Sequence, residues 1–358
     1  MLSVACTRSP DYSELPPSLE PVSIVREVDG YDFYFPVSVA TDSNLVFIAD
    51  YRDCSIRVFD GELKLLYSIG MKGEGPGEFE HLLDIDANGG LLVAFNLYPS
   101  RISVFDYSGL FLTSFPVEAS RWGKVSVSNR GSIIFARFLE GSTQFISEYS
   151  MEGTLLAEVL EHDAEADWFT SHESKMFIEC VGDDVFAFYE QVPRIQGIGN
   201  HSFDHEYTFE AIYPMYRKWY KHREKSRKEG RRTYLNMAHF GGFTFAENHI
   251  IAGGPHYHLM VLDLETDMLS FIQMGTLAHE FGESERLTSM NRRSSLNASR
   301  AGVDVTSVMS YIDGIAINDE IWMISAMNSC LVRYRIADIL AAKQNSLVIT
   351  WNDWSDPN

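Results

Sequence analysis

Residues 39–69 read "VATDSNLVFIADYRDCSIRVFDGELKLLYSI", and residues 85–115 read "IDANGGLLVAFNLYPSRISVFDYSGLFLTSF". The two stretches align without a gap at an offset of 46 residues. Ile56 falls on Ile102, and Val58-Phe59-Asp60 falls on Val104-Phe105-Asp106. Leu45 falls on Leu91, and Leu66 on Leu112. Each copy holds three or four short runs rich in β-branched and aromatic residues, divided by Asn, Asp, Gly and Ser. That spacing predicts a meander of short antiparallel strands.

The unit recurs, less sharply, at 125–159, 176–209, 242–274 and 311–350, which makes six copies. One such meander cannot bury both of its faces. Sheets ranged around an axis bury each other. The expected fold is therefore all-β, a six-bladed β-propeller over residues 20–352. Residues 1–19, polar and proline-bearing, read as a tether, and 353–358 as a C-terminal tail. Two runs compete to supply the outer strand that closes the ring, "PVSIVREV" at 21–28 and "SLVIT" at 346–350.

The stretch "GEGPGEF" at 73–79 raises the question of a phosphate-cradling loop. Such a loop needs a helix directly after it and usually a Lys-Ser or Lys-Thr pair. The next residues are "EHLLDIDANGG", a strand and a turn. The glycines are read as supplying backbone shapes closed to other residues. Phe79 is expected to plug a gap between neighbouring units.

The pattern of "IAD", then "RVFD" or "SVFD", then "GxGPGEF" resembles NHL-type six-bladed propellers. In particular it resembles the TolB-like six-bladed propeller proteins of Bacteroidetes, which are often lipoproteins. Units one and two match well, three, five and six moderately, and four poorly. The resemblance implies an architecture and brings no catalytic residue with it. Ser3, Val4 and Ala5 before Cys6 resemble the end of a bacterial lipoprotein signal, with Cys6 as the lipidated residue. The basic and apolar regions that precede such a site are absent, so a late-assigned start and a chance match both stay open. The implied location is the periplasm or an outer-membrane lipid anchor, with membrane contact only through that lipid.

The chain has 358 residues, 50 acidic against 29 basic, and a formal net charge of −21. That charge argues against nucleic acid as a partner. Four cysteines without a CxxC pair read as buried thiols rather than a disulfide framework or a metal site. His256 and His258 share a strand face, but no further ligands occur at metal-site spacing. No metal and no cofactor are expected.

In such a ring, the loops between second and third strands and the links between units reach one rim. Candidate ligand-binding residues on that rim are Tyr51, Arg52, Asp53, Tyr98, Arg101, Arg137, Glu190, His256, Tyr257 and Asn328. A helical insertion between units four and five, residues 214–236, holds nine Lys or Arg and two acids and carries Trp219. It reads either as a cap for an anionic or carbohydrate partner, or as a solvated helix drawn to its own acidic body. Asp84, Glu179 and Asp313 are the acids placed to face the axis, and they form no recognisable catalytic set.

Two functions fit these readings. The first is a non-catalytic propeller at the cell envelope, binding a small molecule, a glycan or an envelope protein. The second is a calcium-dependent lactonase- or esterase-type hydrolase, whose chemistry requires carboxylates and an Asn converging on a metal.

Overall fold

Turn chemistry sets the strand ends. Ser43 and Asn44, both with positive φ, connect the first two strands of the first unit, and Gly89 and Gly90 do so in the second. These are the conformations of tight two-residue hairpins. The aspartate of each "VFD" ends the third strand. Asp60 Oδ1 accepts from the Glu62 and Lys64 N–H groups at 3.0 and 2.9 Å. Asp106 does the same for Ser108 and Leu110, and Asp263 for Glu265 and Thr266. The repeated aspartate is therefore a turn-former that satisfies backbone donors.

The computed structural model describes residues 19–119, 123–138, 144–158, 176–182, 184–189, 194–199, 202–208, 241–253, 258–266, 268–273, 313–325, 330–343 and 347–350. Three short strands come first: β1 (Ser23–Val25), β2 (Glu27–Val28) and β3 (Tyr31–Asp32). The first meander is β4 (Pro36–Asp42), β5 (Leu45–Asp50), β6 (Ser55–Asp60) and β7 (Leu65–Ile69). The second is β8 (Leu82–Asn88), β9 (Leu91–Asn96), β10 (Arg101–Asp106) and β11 (Phe111–Pro116). The third is β12 (Gly123–Val127), β13 (Ile133–Phe138), β14 (Gln144–Tyr149) and β15 (Leu155–Glu158). The fourth is β16 (Met176–Val181), β17 (Asp184–Tyr189), β18 (Arg194–Gly199) and β19 (Ser202–Thr208). The fifth is β20 (Gly241–Ala246), β21 (His249–Gly253), β22 (His258–Asp263) and β23 (Met268–Gln273). The last holds β24 (Asp313–Ile317), β25 (Glu320–Ser325) and β26 (Cys330–Arg335), then helix α1 (Ile336–Lys343) and β27 (Leu347–Thr350).

These strands build an all-β propeller. The first strands neighbour one another in a closed cycle, β4–β8–β12–β16–β20–β24 and back to β4. Five blades, those that begin with β4, β8, β12, β16 and β24, are four-stranded. The sheet that begins with β20 has five strands, because β27 pairs antiparallel with β23. Five four-stranded blades are therefore described where six blades were expected, because the remaining sheet takes β27 as an extra outer strand. The N-terminal run supplies the outer strand of the last sheet, with Ile24 opposite Val332. Both competing runs thus find an edge, and only the N-terminal one closes the ring.

The helical insertion expected between units four and five is not shown. Residues 214–236 lie outside the described residues, as do Cys6 and the tail at 353–358. The helix that is described, α1, bridges the last two sheets. Its Lys343 donates to Asp263 Oδ2 at 2.6 Å and lies 3.0 Å from His249 Nε2. Among the described residues no helix is long and apolar enough to cross a membrane.

The core lies between sheets rather than within any one of them. Ala40, Phe47, Ile56 and Val58 of the first sheet pack with Leu82, Ile85, Leu92 and Phe105 of the second. Comparable layers join the second and third, third and fourth, fifth and last, and last and first sheets. Phe79 is fully buried in the first of these layers. The "GEGPGEF" loop is thus a plug, as its sequence suggested. Arg101 ties it down, donating to the carbonyls of Glu74, Gly75 and Glu78 at 2.8, 2.7 and 2.6 Å.

Gly70 sits under that plug with φ +76°, and a Cβ there would lie inside the Phe79 ring and 3.1 Å from the Gly77 carbonyl. Gly70→Ala combines left-handed strain with overpacking, and is expected to cost roughly 3 kcal/mol in urea unfolding. A loss below about 1 kcal/mol would mean that the plug gives way without cost.

Candidate functional site

The first strands enclose a cavity of about 330 Å³ on the propeller axis. Asp84, Asp86, Lys124, Glu179 and Asp313 line it, with Phe177, Cys180, Thr244 and Phe245. It runs from mid-strand to the strand ends at Asp42, Asn88 and Gly182, next to the first-to-second-strand turns.

The polar groups of this wall hold neighbouring sheets together. Asp313 Oδ2 accepts from Ser38 Oγ at 2.6 Å and from Val39 N at 3.1 Å. Ser38 Oγ in turn accepts from Ile85 N at 3.2 Å. Asp84 Oδ2 accepts from Val125 N at 2.7 Å, and its Oδ1 pairs with the Lys124 ammonium. Asp86 Oδ2 accepts from Ser126 Oγ and Val127 N at 2.8 and 2.7 Å. Ser126 Oγ accepts from Cys180 N at 3.0 Å. A hydrogen-bonded chain therefore runs from the last sheet through the first three to the fourth. Each link satisfies a carboxylate or hydroxyl that the axis has taken out of bulk water.

Lys124 is the positive centre. Its Nζ also lies 3.5 Å from Asp313 Oδ2 and 5.4 Å from the centroid of the Phe177 ring. Burial works against the ammonium, but Asp313 and Asp84 outweigh it and hold its pKa above the usual lysine value. Burial pushes the Asp84 carboxyl up to about 7, against the pull of Lys124 and with Asp313 adding to the rise. Burial raises Asp86 too, against the hydrogen bond from Val127 N. Glu179 is raised well above the ordinary range by burial and by the charges of Asp86, Asp313 and Asp84. Burial likewise raises the Cys180 thiol. Three acids beside this ammonium, Asp84, Asp86 and Glu179, are thus held above the ordinary carboxyl range, with burial the main cause.

Asp84, Glu179 and Asp313, expected to form no set, are brought to one wall, together with Asp86 and Lys124, which sequence reasoning did not single out. A signal for Lys124 exists. Ser38, Asp84 and Lys124 each precede the residue at which a repeat copy begins, Val39, Ile85 and Val125. Among the described residues no three His, Cys, Asp or Glu converge to hold a metal.

None of the rim candidates among the described residues lines the cavity. Tyr51, Arg52 and Asp53 form the β5–β6 loop. Asp53 accepts from Ser55 Oγ at 2.6 Å and pairs with Arg57. Tyr98 is half exposed against His81. Arg101 is engaged by the plug loop. Arg137 is buried, donating to Tyr149 Oη at 2.9 Å and Glu158 Oε1 at 3.1 Å. Glu190, Trp219, His256, Tyr257 and Asn328 lie outside the described residues.

No protein-family model matches the chain, and no curated protein matches it. Solved structures do. A protein described as exported, from Bacteroides fragilis NCTC 9343, is similar at 15% identity and a TM-score of 0.56, over 84% of this chain and 82% of that one. A catalytically inactive variant of virginiamycin B lyase from Staphylococcus aureus, with quinupristin, is similar at 10% identity and a TM-score of 0.51, over 87% and 99%. The selenomethionine form of that lyase gives 8% identity and a TM-score of 0.50, over 87% and 98%. At such identities the likeness is one of fold alone: the chain shares the β-propeller architecture with these proteins.

Proposed function

We propose that the chain is a non-catalytic binding propeller whose axial cavity takes a small molecule bearing an amine or guanidinium group. One observation carries this reading. The cavity wall offers the carboxyls of Asp84, Asp86, Glu179 and Asp313 around a single ammonium, and that ammonium is already spent on Asp84 and Asp313. Such a wall is rich in acceptors and complementary to a donor-rich cation. A bound cation also relieves the repulsion that adds to burial in lifting the Asp84, Asp86 and Glu179 carboxyls.

The ring is read as six-bladed, with the five-stranded sheet counted as a blade, in line with the NHL- and TolB-like propellers that the sequence resembles. The chain is assigned to the bacterial cell envelope, periplasmic or anchored by lipid at Cys6. An exported structural neighbour supports the envelope reading. The hydrolase reading draws no support from the axial wall.

Thermal shift and calorimetry of the full chain with ethanolamine, putrescine and agmatine test the proposal. At least one is expected to bind, more tightly at pH 8 than at pH 5, because ionised carboxyls are the acceptors. Glu179→Gln is expected to weaken binding about tenfold by removing a charge-assisted partner. No binding by any of the three, or unchanged affinity in Glu179→Gln, would sink the reading.

A further inference from the structure

The rim of the first two sheets, opposite the turns that flank the cavity, carries a second feature that the axial reading does not use. The Phe35 and Tyr51 rings lie 6.1 Å apart, Tyr51 and His81 5.8 Å, and His81 and Tyr98 5.1 Å. The Arg52 guanidinium lies 6.0 Å from the Phe35 ring at the far end. The repeat explains the row. At an offset of 46, Phe35 corresponds to His81 and Arg52 to Tyr98. In each sheet the residue leaving the second strand packs on the ring that precedes the first strand, and Tyr51 joins the two pairs.

Two fully buried polar side chains hold the row in place. Asp50 accepts from the N–H groups of Tyr34, Phe35, Arg52 and Asp53 at 2.9 to 3.2 Å. Asn96 Oδ1 accepts from Glu80 and His81 at 2.9 and 2.8 Å, and its Nδ2 donates to Pro99 O at 2.8 Å. The backbone that carries the row is therefore fixed before any ligand arrives, which lowers the ordering entropy lost on binding. Tyr98 stays 53% exposed, Arg52 is exposed, and Tyr51 and His81 are partly buried. A half-exposed tyrosine beside two partly buried polar rings, with an exposed guanidinium at the far end, matches a ligand that is neutral, hydroxyl-rich and apolar on its ring faces.

We infer that this aromatic row is an oligosaccharide-binding platform. A pyranose face stacks on Tyr98, the exposed ring of the row, and the sugar hydroxyls bond to Arg52 and the tyrosine tips. The site is independent of the axial cavity. It also gives Tyr51, Arg52 and Tyr98, singled out from sequence, a common purpose.

Calorimetry of the full chain against five soluble hexasaccharides decides the matter: maltohexaose, cellohexaose, xylohexaose, mannohexaose and chitohexaose. A proline-rich decapeptide is included as the competing ligand for an aromatic strip. At least one hexasaccharide is expected to bind, with affinity about tenfold weaker in Tyr98→Ala and largely kept in Tyr98→Phe. Glu179→Gln, which alters only the axial wall, is expected to leave this binding unchanged. Binding of none of the five overturns the platform. So does affinity unaltered in both Tyr98→Ala and Arg52→Ala, or binding of the peptide alone.

Discussion

Lys124→Met is expected to destabilise the protein by about 3–5 kcal/mol at pH 8, and by much less at pH 5. The substitution keeps the length of the apolar stem and removes the ammonium. Asp84 then stays buried with no countercharge, and Asp313 loses one of its partners. At pH 8 the Asp84 carboxyl must either ionise in a dry site or hold a proton against the solvent. Taking up that proton at pH 5 costs only about 1.5 kcal/mol relative to an unfolded aspartate. The pH dependence has a definite sign. A carboxyl whose pKa is raised by folding keeps its proton longer in the native state. Its contribution is complete below the unfolded value near 4 and is lost as pH rises through the folded value, which is about 7 with Lys124 present and higher once the ammonium that lowers it is removed. Urea unfolding at both pH values measures the difference. Adding Asp84→Asn to Lys124→Met should recover much of the loss at pH 8, because the amide oxygen can still accept from Val125 N and the buried charge is gone. An equal loss at both pH values, or no recovery in the double variant, would show that Lys124 acts by packing rather than by charge.

The blades were legible because turn chemistry repeats with the strands. Asp60 and Asp106 recur at one offset since each must satisfy the same two backbone donors, and the aligned apolar runs report the layers between sheets. Phe79 was legible for the same reason: a large apolar residue in a glycine-rich loop has only the gap between blades to enter. The axial site was hidden. Its members come one or two to a strand, from first strands spread over more than two hundred residues, and each looks like an ordinary polar residue beside a strand. Only ring closure brings Asp313 to Ser38 and Lys124 to Asp84. The fifth strand contributed by 347–350 was hidden in another way. A short β-branched run states that it will pair, and it does not state with which edge. The aromatic row lay between these cases. Tyr51, Arg52 and Tyr98 could be picked as loop residues, but Phe35 and His81 precede first strands, and only the corner geometry joins them.

Asp50 and Asn96 occupy equivalent positions in the first two sheets, and exchanging their chemistry is expected to be costly in both directions. Asp50 is fully buried, and both of its oxygens are used: Oδ2 by Tyr34 N and Phe35 N, Oδ1 by Arg52 N and Asp53 N. Asn96 accepts the matching pair on Oδ1, from Glu80 N and His81 N, but its other end donates. The reason lies 46 residues on from Asp53, where the chain has Pro99. Proline has no N–H to offer, so a second acceptor would lose one of its two donors, and an amide turned towards the Pro99 carbonyl is the complement. Asp50→Ala leaves four backbone donors without their acceptor and is expected to cost about 4 kcal/mol or more. Asp50→Asn keeps one oxygen but points its NH2 at two N–H groups, for a loss of about 2 kcal/mol. Asn96→Asp sets a carboxylate oxygen against a carbonyl oxygen. Its damage should be largest at neutral pH and should shrink on acidification, since a protonated carboxyl can again donate to Pro99 O. Thermal midpoints of the three variants between pH 4 and 8 separate these outcomes. If Asp50→Asn were as damaging as Asp50→Ala, or Asn96→Asp were indifferent to pH, the donor count at the two corners would not be what distinguishes aspartate from asparagine in the repeat.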